Sequence, residues 1–133
     1  MMNELNDLSQ IGLSTTAHFQ LEQLRNDGYF LEMRDAYKFA IGLALSKGET
    51  PPEISTKRQT IFSTSTLDTD GSVAAAIKAL MPCHEIPPYR WAERLADAGV
   101  AMLMEKAKTG GIDISAMLQE ADLYSSTSTE NTD

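Results

Sequence analysis

The sequence has one cysteine and no long apolar run, and each absence excludes a class of protein. Cys83 stands alone among 133 residues, which excludes an internal disulfide framework and makes the reducing cytoplasm the default location. The longest apolar stretch, residues 39–45, falls far short of the roughly 18 residues that a membrane span needs. The first residues lack the basic start and apolar core of a signal peptide. We therefore expect a cytoplasmic, single-domain protein with no membrane association.

Basic charge is also scarce. Eleven Lys and Arg face nineteen Asp and Glu, and the formal net charge is −8. Residues 14–60 carry six groups of each sign, whereas residues 61–133 carry five basic and eleven acidic groups. A duplex DNA binder usually shows a basic excess, because neutralising phosphates supplies most of its affinity. The charge therefore argues against a large DNA footprint, but it leaves room for a small basic patch multiplied by oligomerisation.

The chain also lacks the motifs of common active sites. No Gly-x-Ser-x-Gly turn accompanies the Ser and Thr residues of 63–66. The stretch Asp68-Thr69-Asp70-Gly71 is similar to part of a calcium loop, but aligning Gly71 with the sixth position puts Ile77 where an EF-hand needs a bidentate glutamate. The pattern favours a helix cap instead.

Cys83-His84-Glu85 places three types of metal ligand side by side. Zinc sites prefer ligands spaced by two to four residues, so a turn between helices is the favoured interpretation. We predict no catalytic residue, no metal and no cofactor. A small enzyme or metal site around Cys83-His84-Glu85 is kept as an alternative hypothesis.

Apolar residues recur at three- and four-residue spacing in four segments, which predicts four helices. They run from Ser14 to Gly28, from about Met33 to Ser46, from Val73 to Met81 and from about Pro88 to Lys108. A short fifth helix is expected after Asp113 or Ser115. The apolar stripe of the first helix contains Phe19, Leu21 and Leu24. Gly42 costs the second helix about 1 kcal/mol relative to alanine, and a close helix crossing is the expected reason.

These patterns predict an all-α fold, a single small bundle of four to five helices with at most one short extended segment. Residues 60–67 are rich in Thr, Ile and Phe and fit either a short strand or an irregular loop. Residues 1–13 show no clear period and are assigned to a flexible N-terminus. The helical domain covers residues 14–123. Residues 124–133 are assigned to a disordered tail, because they are almost entirely polar.

Two sets of residues are candidates for binding. Five basic residues are predicted to contact DNA phosphates as backbone-positioning groups: Arg34, Lys38, Lys47, Lys57 and Arg58. The alternative is a solvated face on which they pair with Glu32 and Asp35. The fourth helix carries two apolar faces, which suit either a central position in the bundle or an oligomer interface. The residues predicted for an oligomer or partner interface are Trp91, Leu95, Gly99 and Met102.

Four segments resemble the DndE family, small proteins of the DNA phosphorothioation systems. They are residues 11–25, the stretch Asp35-Ala36-Tyr37-Lys38-Phe39-Ala40-Ile41-Gly42-Leu43-Ala44-Leu45, the stretch Thr66-Leu67-Asp68-Thr69-Asp70-Gly71, and residues 98–103. The resemblance covers about residues 11–118. It implies an all-α, oligomeric protein that acts with DNA or with DNA-modifying machinery in bacterial self-marking and phage defence. Family members bind DNA through lysine-rich surfaces, and the acidic C-terminal half of this chain departs from that pattern.

Three functional hypotheses follow. The preferred one is a non-enzymatic, homo-oligomeric component of a bacterial DNA modification (phosphorothioation-like) or phage-defence system, which binds the DNA backbone or a partner protein. The second is a helical protein–protein interaction module with no nucleic-acid role. The third is the small enzyme or metal site at Cys83-His84-Glu85.

Overall fold

The computed structural model describes residues 6–82 and 85–109. Over these residues the chain forms two strands and five helices: β1 (Gln10–Ser14), α1 (Thr15–Asn26), α2 (Met33–Ser46), β2 (Arg58–Ser63), α3 (Thr64–Leu67), α4 (Ser72–Leu80) and α5 (Pro88–Lys108). The predicted all-α fold is therefore wrong, because helices pack around a two-stranded sheet. The helix expected after Asp113 or Ser115 and the tail 124–133 lie outside the described residues.

Strand β1 comes from the segment assigned to a flexible N-terminus. It pairs with β2 in antiparallel register, with Ile11 opposite Phe62 and Ser14 opposite Arg58, and the register shifts after Ile11. Ile11 and Leu13 are fully buried. These two alternating positions are the whole apolar signal of a five-residue strand, which is too short to stand out as a period.

Residues 60–67 form a strand in their first half, as one of the two expectations had it, and a helical turn rather than a loop in their second half. Strand β2 ends at Ser63, and the single turn α3 follows directly. The Ser63 side chain is the N-cap of that turn, since its hydroxyl accepts the Thr66 N–H at 3.1 Å. A serine at this position ends the strand and starts the helix, because its oxygen satisfies an N–H that has no partner inside the helix.

The four predicted helices agree closely with the structure, and α4 lies within one residue of its predicted bounds. The predicted bounds of α2 and α5 are confirmed, and α1 begins after Ser14, whose hydroxyl accepts the Ala17 N–H at 3.2 Å. One member of the predicted stripe on α1 is wrong. Leu21 and Leu24 are buried, but Phe19 is 61% exposed. No helix among the described residues is long and apolar enough to cross a membrane.

The Asp68 motif is a helix cap, as predicted. Its two carboxylate oxygens each accept a backbone N–H from the first turn of α4, from Val73 and from Ala74, both at 3.0 Å. Gly71 turns the chain into α4 with a φ of 75°, a conformation that glycine adopts without strain. The Tyr89 hydroxyl donates to the same carboxylate at 2.8 Å, which ties α5 to the start of α4.

Helices α2 and α5 cross at a glycine, but not at the one expected. A Cβ at Gly99 would lie 2.1 Å from the carbonyl oxygen of Ala40, so only hydrogen fits between the two backbones. A Cβ at Gly42 would meet nothing within 4 Å, and the expected crossing there is wrong. Gly99 therefore sets the distance between the two helices that form most of the core.

We predict opposite effects of alanine at the two positions. Gly42→Ala should raise the free energy of unfolding by up to about 1 kcal/mol, because it only improves helix propensity. Gly99→Ala should lower it by about 1–3 kcal/mol, because the methyl group forces α2 and α5 apart. Urea denaturation of both variants measures the difference. Equal stabilisation by both substitutions would contradict the close crossing.

Candidate functional site

Helix α5 supplies hydrogen-bond acceptors to strand β1. The Gly12 N–H donates to Glu93 Oε2 and the Ser14 N–H donates to Asp97 Oδ2, each at 2.8 Å. The two spacings match, because four residues of helix rise about 6 Å and two residues of strand rise about 6.6 Å. One face of α5 can therefore pair with alternate N–H groups along the strand.

Side chains also satisfy two carbonyl groups of β1. The Tyr37 hydroxyl donates to the Gly12 carbonyl at 2.7 Å, and Arg58 Nη2 donates to the Gln10 carbonyl at 3.0 Å. Gly12 itself has no room for a side chain, since a Cβ would lie 1.8 Å from the Gln59 carbonyl oxygen. Side chains of α2, α5 and β2 thus bond to β1 where a third strand would otherwise pair.

The charge of Glu93 is paired inside the protein. Its side chain is 8% exposed, and Arg58 Nε donates to the same Oε2 that accepts the Gly12 N–H. The Arg58 side chain is 34% exposed, so the pair lies at the edge of the core. Burial, and next the charges of Glu93 and Asp97, raise the pKa of Tyr37 well above its usual value, which keeps its hydroxyl a donor.

A cavity of about 140 Å³ opens beside this ion pair. We call it the arginine cavity, because three of its lining side chains are guanidinium groups; the lining consists of Leu8, Glu53, Ile54, Arg58, Arg90, Glu93 and Arg94. Arg90 and Arg94 lie four residues apart on α5, on the same face. Three positive and two negative side chains leave the cavity with a formal charge of +1.

Each arginine of the cavity is held by one or two contacts. Arg58 bonds to Glu93 and to the Gln10 carbonyl, and Arg90 Nε donates to the Asn6 carbonyl at 2.7 Å. The Arg94 guanidinium carbon lies 5.2 Å from the centre of the Trp91 ring, in cation–π contact. Within the described residues, no hydrogen bond to Arg94 accompanies this stacking.

The five basic residues predicted to contact DNA do not form one patch. Arg34 forms an ion pair with Glu32 at 2.9 Å. Lys38 is exposed, and its charge adds to a Ser72 backbone hydrogen bond in lowering the pKa of Asp70. Lys47 follows the last residue of α2, about 20 Å along the helix from its start.

Of the remaining two predicted residues, only Arg58 lines the arginine cavity. Lys57 directly precedes Arg58, which lines it. Arg90 and Arg94 are not among the DNA-contacting residues predicted from the sequence. Their four-residue spacing on a predicted helix was a signal for a shared face, but their meeting with Arg58 depends on the sheet that was not predicted.

The predicted interface residues have partners within the chain. Trp91, Leu95 and Gly99 are buried and Met102 is half-buried. Leu95 belongs to the core, and Gly99 lies against Ala40 of α2. The oligomer interface at these residues stays a prediction, and the packing of α5 on α2 already explains why they are apolar or small.

The alternative metal site falls partly on residues that are not described, since Cys83 and His84 lie in the gap between residues 82 and 85. In the described part of the chain, no group of three or more His, Cys, Asp or Glu side chains is placed to hold a metal ion.

Comparison of the chain with protein families, with curated proteins and with solved structures finds no match.

We predict that Glu93 is required for stability. Glu93→Ala leaves the buried Gly12 N–H without its acceptor and removes one of the two acceptors of Arg58, and it should cost about 1–3 kcal/mol of unfolding free energy. Glu105→Ala, at an exposed glutamate on the same helix, is the matched control and should stay within about 0.5 kcal/mol of wild type. Chemical denaturation of the three proteins compares them. Similar stabilities for the two variants would refute the role of Glu93.

We also predict a loss of stability at alkaline pH that depends on Tyr37. Its folded pKa is raised, so its contribution is complete below the unfolded value of about 10 and decreases as the pH rises through the folded value. Between the unfolded and the folded pKa of Tyr37, the unfolded chain has lost the phenol proton that the folded protein keeps. Over this pH range the free energy of unfolding falls by up to about 1.4 kcal/mol per pH unit.

The variant Tyr37→Phe tests this slope. It should lower stability near neutral pH by about 1 kcal/mol, because the Gly12 carbonyl loses a donor, and it should flatten the decline above about pH 10. The control is Tyr29→Phe, at a half-buried tyrosine, which should keep the wild-type slope. The measurement is the free energy of unfolding of the three proteins at several pH values above neutral. An unchanged slope in Tyr37→Phe would show that Tyr37 does not cause the alkaline loss of stability.

Proposed function

We propose that this protein is a non-enzymatic, oligomeric component of a bacterial DNA modification (phosphorothioation-like) or phage-defence system, which acts in the cytoplasm by binding the DNA backbone. The main support is that the basic residues lie at the surface, whereas two of the acidic residues lie in the interior. None of the basic residues in the described part of the chain is buried, whereas Asp68 and Glu93 are buried and hydrogen-bonded within the fold.

The surface of the described residues is therefore less negative than the whole-chain net charge of −8 indicates. All eleven basic residues lie within residues 6–82 and 85–109, together with thirteen of the nineteen acidic ones. Two of those thirteen are buried, which leaves eleven acidic and eleven basic groups at the surface. The other six acidic residues are Glu4 and five residues after position 109. A balanced surface supports local phosphate contacts of the kind that the whole-chain charge argued against.

Lys57 and the three arginines of the cavity are the basic residues that we propose for phosphate contact. Lys57 is exposed beside Arg58, and arginine binds phosphate oxygens with two parallel hydrogen bonds. Such contacts position a protein on DNA without reading its sequence. The resemblance of residues 11–118 to the DndE family further supports the proposal.

A second candidate is a protein–protein interaction module without a nucleic-acid role. Three large apolar side chains favour it by their exposure: Leu31 at 93%, Phe19 at 61% and Leu80 at 60%. Single exposed apolar residues are common on monomers. This candidate therefore ranks second, and the DNA experiment separates the two.

We predict DNA binding that weakens steeply with salt and depends on Lys57. A duplex titration by fluorescence anisotropy at several salt concentrations gives the slope of log K against log salt. Lys57→Glu should reduce this slope by about 1, because one phosphate contact is lost. Lys78→Glu, on α4, changes the net charge equally and should behave like wild type. No binding at low salt by the folded wild-type protein would reject the DNA proposal in favour of a protein partner.

A further inference from the structure

We propose that the arginine cavity is a binding site for one phosphodiester group, held by Arg58, Arg90 and Arg94. The inference rests on the proposed function and deepens it, since it assigns a site and a ligand charge to the backbone contact. Four observations carry it: the unused donors of the arginines, the contacts that hold them, the charge of the cavity and its size.

The first observation concerns donors. A guanidinium has five N–H groups and accepts none. Within the described residues, Arg90 bonds only through Nε, and Arg94 only stacks on Trp91. Both side chains are half-buried and line the cavity. An oxyanion in the cavity would replace water as the acceptor of their remaining N–H groups.

The second observation concerns preorganisation. Arg58 is held by Glu93, Arg90 by the Asn6 carbonyl, and Arg94 by the Trp91 ring. Each contact restrains one part of a guanidinium and leaves other N–H groups for a ligand. Side chains that are ordered before binding lose less conformational entropy when the ligand arrives. The cavity is therefore built for binding in the absence of its ligand.

The third observation concerns charge. Three arginines and two glutamates give a formal charge of +1, and the Glu93 carboxylate already accepts from Gly12 and Arg58. A monoanion neutralises this cavity. A dianion overcompensates it and meets Glu53 with two negative charges rather than one. A phosphodiester carries one negative charge, so it fits better than a terminal phosphate.

The fourth observation concerns size. The cavity has a volume of about 140 Å³. This volume is well below the roughly 300–1,000 Å³ of pockets that enclose a whole small molecule. The cavity therefore encloses one group of a larger ligand. Leu8 and Ile54 line it as well, and they can contact the ester carbons on either side of a phosphodiester.

The ligand can come from DNA or from a small free phosphate ester, and three probes distinguish the sources. Dimethyl phosphate carries the proposed group alone, inorganic phosphate carries a higher charge at neutral pH, and a short duplex carries the group in DNA. Binding of the first two is followed by NMR through the Arg Nε–H and Trp91 indole signals, and binding of the duplex by anisotropy.

We expect dimethyl phosphate to shift the Arg90, Arg94 and Trp91 signals saturably, and to bind more tightly than inorganic phosphate. Arg94→Ala and Arg90→Ala should each weaken both dimethyl phosphate and duplex binding at least about tenfold, the equivalent of about 1.4 kcal/mol. Arg94→Lys keeps the charge and the fold but not the planar fork, and should bind with intermediate affinity. Arg25→Ala, at an exposed arginine on α1, should match wild type.

Two results would overturn the inference: tighter binding of inorganic phosphate than of dimethyl phosphate, or unchanged binding by folded Arg94→Ala and Arg90→Ala. If those variants bind the duplex like wild type while Lys57→Glu still lowers the salt slope, the cavity proposal fails and the proposed function stands. If dimethyl phosphate binds in the cavity but no duplex binds at low salt, the site stands and the proposed function fails.

Discussion

The structure depends on the hydrogen bonds that side chains make to one edge of strand β1, the edge that does not pair with β2. Within the described residues β1 pairs with one strand only, and unpaired backbone groups in a buried strand carry a large free-energy cost. At this edge Glu93 accepts the Gly12 N–H, Asp97 accepts the Ser14 N–H, and Tyr37 donates to the Gly12 carbonyl. These bonds fix the position of α5 along the strand. The same alignment brings Gly99 onto the Ala40 backbone of α2.

This arrangement also positions the candidate site. Glu93 needs a positive partner because it is buried, and Arg58 reaches it from the start of β2. Arg90 and Arg94 lie on α5 three residues before and one residue after Glu93. Together with Arg58 their side chains line the cavity beside the ion pair. A contact that stabilises the fold therefore gathers three arginines around one cavity. The scarcity of basic charge along the chain coexists with a local concentration of it.

The features set by local sequence were predictable, and those set by long-range pairing were not. Helices α2 and α5 follow from apolar spacing and from the residues at their ends, and the Asp68 cap follows from its position before α4. Strand β1 was missed because five residues show little period and its partner lies more than forty positions away. In the sequence Glu93 is one acidic residue among many, and only the fold shows its burial. For the same reason the cavity arginines could not be grouped in advance.

Hydrogen exchange at the Gly12 and Ser14 amides measures the bonds between β1 and α5, because both N–H groups donate to carboxylates of that helix. We expect both amides to exchange only through global unfolding, as slowly as the amides of β1 that bond to β2. Glu93→Ala should speed exchange at Gly12 more than at Ser14. Rapid exchange of both amides in the wild-type protein, at rates typical of an exposed strand edge, would contradict the account.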